Sequence, residues 1–217
     1  MKYPIWIREE KRMIRGIDVS AWQKDIDWQK VKNAGIEFVI VKAGGSDAGY
    51  YTDKYFLKNI IGASQVGINV GAYYFVGKKC KSSAEGLADA MRFHEIIKVG
   101  VYGYPVYIDF EAPDKSNKQG NTDAVKAFCE YMEAMGYYVG IYASDISGFK
   151  DRLNISQLNA FDKWVARYGS EPRYAKSWGI WQYSSSGIVD GIKGRLDVNW
   201  SKVDYPGIIK KNHLNGF

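Results

Sequence analysis

Through the first half of this sequence, short runs rich in β-branched and aromatic residues alternate with segments of helical periodicity, and that alternation limits the fold more than any other feature. Residues 15–20, 38–43, 69–76 and 105–111 have the length and composition of buried strands. Between them, 26–35, 53–66 and 82–99 read as helices, the second burying Phe56, Ile60 and Ala63 and the third Ala90, Phe93 and Ile97. Ser82 and Ser83 are candidate caps for that third helix. A strand, a helix and another strand in succession imply right-handed crossovers and a parallel sheet. Residues 121–135 follow as an amphipathic helix with Ala124, Phe128, Tyr131, Met132 and Met135 inward.

Further strands are predicted at 137–142, 163–168 and 179–183, and glycine-punctuated β structure from 188 ends in a last strand at 195–200. Only a short helical piece, around 155–161, separates these later strands. The expected class is therefore α/β: an irregular (β/α) barrel of about eight strands and about five helices, similar in plan to a TIM barrel. With 217 residues, 46% hydrophobic and without repeat or low-complexity linker, one domain is expected at 15–217, behind an N-terminal extension at 1–14.

The acids sharpen this picture. In residues 105–111, Asp109 and Glu111 lie two apart and share one strand face, while Val106, Ile108 and Phe110 take the other. Neighbouring carboxylates repel, so at least one is pushed to hold its proton, the condition for acid/base chemistry on a glycosidic bond. In a (β/α) barrel, functional groups collect at the C-terminal ends of strands. Asp18, Asp109, Glu111 and Asp197 all fall at or near such expected ends, and four acids at one mouth are costly unless protonated, hydrogen-bonded or used. Lys42 interrupts an apolar strand, either as a surface cap or as an inward charge.

Other signals exclude more than they assign. The net charge of +6 suits an anionic polymer, and 17 Tyr with 7 Trp suit sugar faces, nucleobases or a packed core. No nucleic-acid recognition motif accompanies them. Cys80 and Cys129 are too few for a disulfide framework and are expected to be free, buried thiols. His94 and His213 lack ligand-like spacing, so neither a metal site nor a cofactor is expected. No segment is long and apolar enough to span a membrane. The apolar patch at 3–7 is too short for a signal peptide, so the protein is expected to remain cytoplasmic until another system releases it, unless an export signal has been removed.

Several stretches together resemble the family-25 glycoside hydrolases, cell-wall muramidases of bacteria and phages. They are Gly16-Ile17-Asp18-Val19-Ser20 with Gln23 and Ile26-Asp27-Trp28, Gly71-Ala72-Tyr73-Tyr74-Phe75, and Asp109-Phe110-Glu111. Gly140-Ile141-Tyr142, Trp164-Val165-Ala166-Arg167-Tyr168, Trp181-Gln182-Tyr183 and Leu196-Asp197-Val198-Asn199 follow in family order. The resemblance implies hydrolysis of the β-1,4 bond between N-acetylmuramic acid and N-acetylglucosamine in peptidoglycan glycan strands, by a monomer acting on the bacterial wall. It makes Glu111 the general acid/base, Asp109 the partner that orients the substrate's N-acetyl group or acts as nucleophile, and Asp18 and Asp197 supporting acids. Tyr74 stands where the family often has histidine, a difference expected to affect subsite detail.

Tyr73, Tyr142, Trp181 and Tyr183 are the candidates for stacking on sugars, and Lys42 for a muramyl or peptide carboxylate. Same-face neighbours on a strand lie about 6.6 Å apart at Cα, between the spacings of retaining and inverting carboxyl pairs, so spacing leaves stereochemistry open. Retention through attack by the substrate's own acetamido group is the expected route. The rival enzyme is a chitinase-like endo-N-acetylglucosaminidase, whose signature needs further aspartates where this chain has Tyr104 and Tyr107. The rival non-enzyme is a wall-binding barrel, which would keep the aromatics and lose the acids.

Overall fold

The computed structural model describes residues 12–217. The expected extension lies outside the described residues for positions 1–11. Strand β1 (Ile14–Val19) begins within the remainder of it, and Arg12 pairs with Glu37 at 2.7 Å. Next come α1 (Trp28–Asn33), β2 (Phe38–Gly45), β3 (Tyr51–Thr52), α2 (Phe56–Gln65), β4 (Asn69–Phe75), α3 (Ser83–Ile97) and β5 (Val106–Asp109). The second half holds α4 (Lys118–Ala134), β6 (Val139–Ser144), β7 (Asp162–Ala166), β8 (Ile180–Gly187), β9 (Leu196–Ser201) and α5 (Tyr205–Lys211).

The sheet runs β1-β9-β8-β7-β6-β5-β4-β2-β3, and a β1–β2 pairing closes eight of these strands into a barrel with β3 attached outside. Seven barrel strands are parallel, as the alternation predicts. The exception is β9, antiparallel to both β1 and β8. Its connection from β8, residues 188–195, is shorter than the dozen or so residues a parallel crossover needs, so the chain turns back as a hairpin. This corrects one expectation: Asp197 reaches the mouth from near the start of its strand, not the end.

Two apolar layers follow from the period-two alternation. Val106, Ile108 and Phe110 pack outward with Ala90, Phe93, Ile97, Ala124, Phe128 and Met132 of α3 and α4. Met135, expected on that buried stripe, is 42% exposed because the helix has ended before it. The barrel interior is filled by Phe38, Ile40, Tyr104, Tyr107, Tyr142, Trp164 and Ile180. Such rings need space, and glycine provides it: a Cβ on Gly16 would lie 2.3 Å from the Phe38 ring and one on Gly140 2.5 Å from Tyr107. Both thiols are free and buried.

Local signals account for several ends. Ser82 Oγ accepts from the Glu85 N–H at the start of α3. Among the elements outside the sequence pattern, two matter for the barrel. One is a π-helical turn at Asp145–Lys150; the other is α5, whose Tyr205 and Ile209 close the lower barrel at 0% exposure. No described helix is long and apolar enough to cross a membrane.

Candidate active site

Alternation along the barrel strands brings Asp18, Lys42, Tyr73, Asp109 and Tyr142 to the inner face, and the hairpin adds Asp197. Together with Glu111 they line one open cavity of about 440 Å³ at the C-terminal mouth. A larger hollow of about 560 Å³ between β3 and α3, lined by Tyr50, Met91 and Ile96 among others, holds no pair of acids.

Asp18 and Asp197 face each other across the β1–β9 ladder. Asp18 Oδ2 accepts from Asn199 Nδ2 at 2.8 Å and Gln182 Nε2 at 3.0 Å. Burial first, then the Asp197 charge, pushes Asp18 up to about 8; burial also raises Asp197. A facing pair in this setting titrates as one unit and holds a shared proton near neutrality.

Asp109 is 5% exposed, and its Oδ1 has no hydrogen-bond partner among the described residues. Burial and the nearby Glu111 raise it well above the carboxylate range, against the opposing charge of Lys42. Glu111 stands two residues beyond the end of β5, at the solvent-open rim. Its carboxyl is nonetheless raised by partial desolvation in the concavity and by Asp197, while Arg152 and Lys42 pull the other way. Arg152 is held in place by the Pro113 and Ser147 carbonyls, at 2.7 and 2.6 Å.

Lys42 points inward, resolving the choice left by the sequence. Its Nζ lies 4.7 Å from the Phe75 ring centre, and the β2–β4 register slips just after it, a bulge of the kind that re-aims side chains near sites. Tyr73 is half-buried, edge-on to Trp164 at 6.0 Å. Tyr142 lines the floor rather than offering an open face. It is 8% exposed, packs on Trp164 at 4.4 Å and donates its hydroxyl proton to Gln182 Oε1.

Trp181 and Tyr183 require correction. On β8 the inward positions are Ile180 and Gln182, so both rings fall on the outer face. There Trp181 packs on Trp178 and donates to the Arg167 carbonyl, and Tyr183 stacks on Trp200. Neither lines the cavity. The residue between them does: Gln182 links Tyr142, Tyr168 and Asp18. Its polarity inside an aromatic run was the available signal. Asn199, which accepts from Trp164 Nε1 at 2.7 Å, and Trp22, 87% exposed at the rim, were also missed. Trp22 projects from a short turn fixed by reciprocal Ser20–Gln23 capping, outside any periodic element.

Among the described residues, no three acids, histidines or cysteines converge to hold a metal ion. The chemistry on offer is a rim acid beside a buried acid, over a polar floor.

Comparison with known families adds a decisive match. Residues 17–192 fit the family described as glycosyl hydrolases family 25. The chain belongs to that family. Two curated relatives are an autolytic lysozyme of Clostridium acetobutylicum, 29% identical over 187 residues, and lysozyme M1 of Streptomyces globisporus, 30% identical over 205. Each alignment covers 86% of this chain, but 55% of the clostridial protein and 67% of the streptomycete one. A family-25 glycosyl hydrolase structure from Bacillus anthracis superposes with a TM-score of 0.70 at 27% identity, covering 93% of each chain. Membership places the acid-lined mouth within a glycoside hydrolase barrel.

Proposed function

We propose that this family-25 member is an N-acetylmuramidase, cleaving the β-1,4 bond between N-acetylmuramic acid and N-acetylglucosamine in peptidoglycan. The observation that carries the division of labour is the contrast between Asp109 and Glu111. A general acid must deliver a proton and later exchange with water, which suits the open-rim Glu111. Asp109 is buried, with one oxygen lacking a donor among the described residues, and suits an N–H brought by the substrate.

The sugar whose anomeric carbon is attacked carries a 2-acetamido group. Its N–H donates to Asp109, which compensates that carboxylate's burial and turns the acetamido oxygen toward the anomeric carbon. Glu111 protonates the glycosidic oxygen as that C–O bond breaks and the acetamido oxygen bonds to carbon. Water then adds to the same carbon, giving its proton to Glu111 and releasing the acetamido group with the β configuration retained. The Asp18–Asp197 pair, with Gln182 and Asn199, fixes the polar floor beneath. Tyr73, Trp22 and Lys42 supply binding contacts.

Clearing of purified peptidoglycan suspensions tests this reading. Wild type is expected to clear them and Glu111→Gln to lose that activity. Equal clearing by both removes Glu111 from the acid role. Failure of wild type on several walls favours a binding module, and cleavage of chitin oligosaccharides in preference to peptidoglycan favours the N-acetylglucosaminidase alternative.

A further inference from the structure

A second hollow of about 380 Å³ opens beside the mouth, sharing Ser20, Trp22 and Lys42 with the acidic cavity. Its charge is opposite: Lys24, Lys42 and Lys54 line it, against Asp53 alone. Asp53 is already engaged, one oxygen accepting from the Ala21 N–H at 2.9 Å and the other from the Tyr55 N–H at 2.8 Å. Among the described residues, none of the three lysines lies within ion-pair distance of a carboxylate; Lys54 rests only near the Tyr55 ring.

The wall of this hollow is rigid. Ser20 and Gln23 cap one another, Asp53 ties down Ala21, and Lys24 is held at φ 54°, a left-handed conformation that side-chain-bearing residues rarely adopt. Lys24 therefore points from a fixed turn, and the hollow has a set position relative to Asp109. On the muramidase reading, on which this inference rests, Asp109 seats the substituent on C2 of the muramic acid ring. The neighbouring carbon, C3, bears the lactyl ether to which the stem peptide is joined. Lys42 lines both hollows, so the route from Asp109 past Lys42 leads from the C2 group to the lysine-lined side.

We propose that this side hollow is a carboxylate-binding subsite for the C3 arm of N-acetylmuramic acid, with Lys24 and Lys54 as its outer cations. The carboxylate comes from one of two sources, the stem peptide or the lactyl group left bare once the peptide has been removed. Both present the same chemistry to the lysines.

The test compares wild type, Lys24→Gln/Lys54→Gln and Lys24→Arg/Lys54→Arg on soluble glycan chains with stem peptides and on the same chains after amidase trimming, reading reducing ends. The Gln pair is expected to raise KM about fivefold or more on at least one substrate, with kcat and melting temperature unchanged and the Arg pair restoring KM. A rise on peptide-bearing chains alone assigns the peptide carboxylate. A rise on trimmed chains alone assigns the lactyl group, and a rise on both assigns a subsite that takes either. The wild-type KM is also expected to climb with salt more steeply than that of the Gln pair. Active wild type with unchanged KM in the Gln pair overturns this inference and leaves the muramidase reading intact, as does a loss confined to kcat. Wild type that releases no reducing ends from either substrate overturns both.

Discussion

The two ends of one barrel treat desolvated acids differently. At the lower end, Asp162 is raised by burial, yet its Oδ2 accepts from the hydroxyls of both Tyr107 and Tyr205. Helix α5 then closes that end, with Tyr205 packed on Tyr104 at 5.2 Å. At the mouth, Asp109 keeps an oxygen without a donor among the described residues, and Asp18 faces another acid across a strand pair. A fold that supplies two hydroxyl donors to an acid at its base, and at its mouth sets one acid opposite another and leaves Asp109 short of a donor, separates stability from chemistry along a single axis. The unpartnered oxygen of Asp109 lies where a substrate can supply the missing donor.

The largest effect that sharpens this contrast belongs to Glu111. Replacing it with Gln is expected to lower kcat by about 10³-fold, within the range for general acid catalysis, with the melting temperature held or raised. A small loss of kcat, or a marked loss of stability, would blur the distinction between the two ends. Asp162→Ala is expected to do the reverse. It leaves two buried tyrosine hydroxyls without their acceptor and should cost about 2–3 kcal/mol in chemical unfolding, with kcat intact in the folded fraction.

Asp18→Asn addresses the shared proton. In the fold Asp18 is raised from 3.8 to about 8, so the native state holds a proton that the unfolded chain has released. Stability from this group is therefore full below the ordinary carboxylate range and is lost as pH rises through about 8. Asparagine can still accept from Gln182 and Asn199 while donating to Asp197, so the variant should unfold with a flatter pH dependence, by about 1 kcal/mol or more across that window. Parallel wild-type and variant curves would contradict the shared proton. The smallest effect is expected for Trp22→Ala. With 87% of its surface exposed, Trp22 contributes little to folding, and its removal should raise KM by about five- to tenfold if the ring stacks on sugar.

How much of this was legible in the sequence depended on how much was local. Period two alone put Asp109 on one face and Val106, Ile108 and Phe110 on the other, and the packed layers agree. Helical spacing likewise named Ala90, Phe93 and Ile97. Periodicity shows which residues share a face, but not which face turns inward when both are apolar. That is why Trp181 and Tyr183 were placed together yet on the wrong side, and why Lys42 stayed undecided. The direction of β9 depended on the length of its connection, not on its own residues. Trp22 lies in a short capped turn without periodicity, and α5 is a seven-residue helix whose place is set by the barrel end it covers.

On the muramidase reading, Glu111 and Asp109 act on the bond following N-acetylmuramic acid. Mass spectrometry of peptidoglycan digests after borohydride reduction tests it most directly, because the new reducing end names the sugar that was attacked. Fragments ending in reduced N-acetylmuramic acid are expected from wild type and none from Glu111→Gln. Fragments ending in reduced N-acetylglucosamine, or the same muramic ends from the variant, would contradict it.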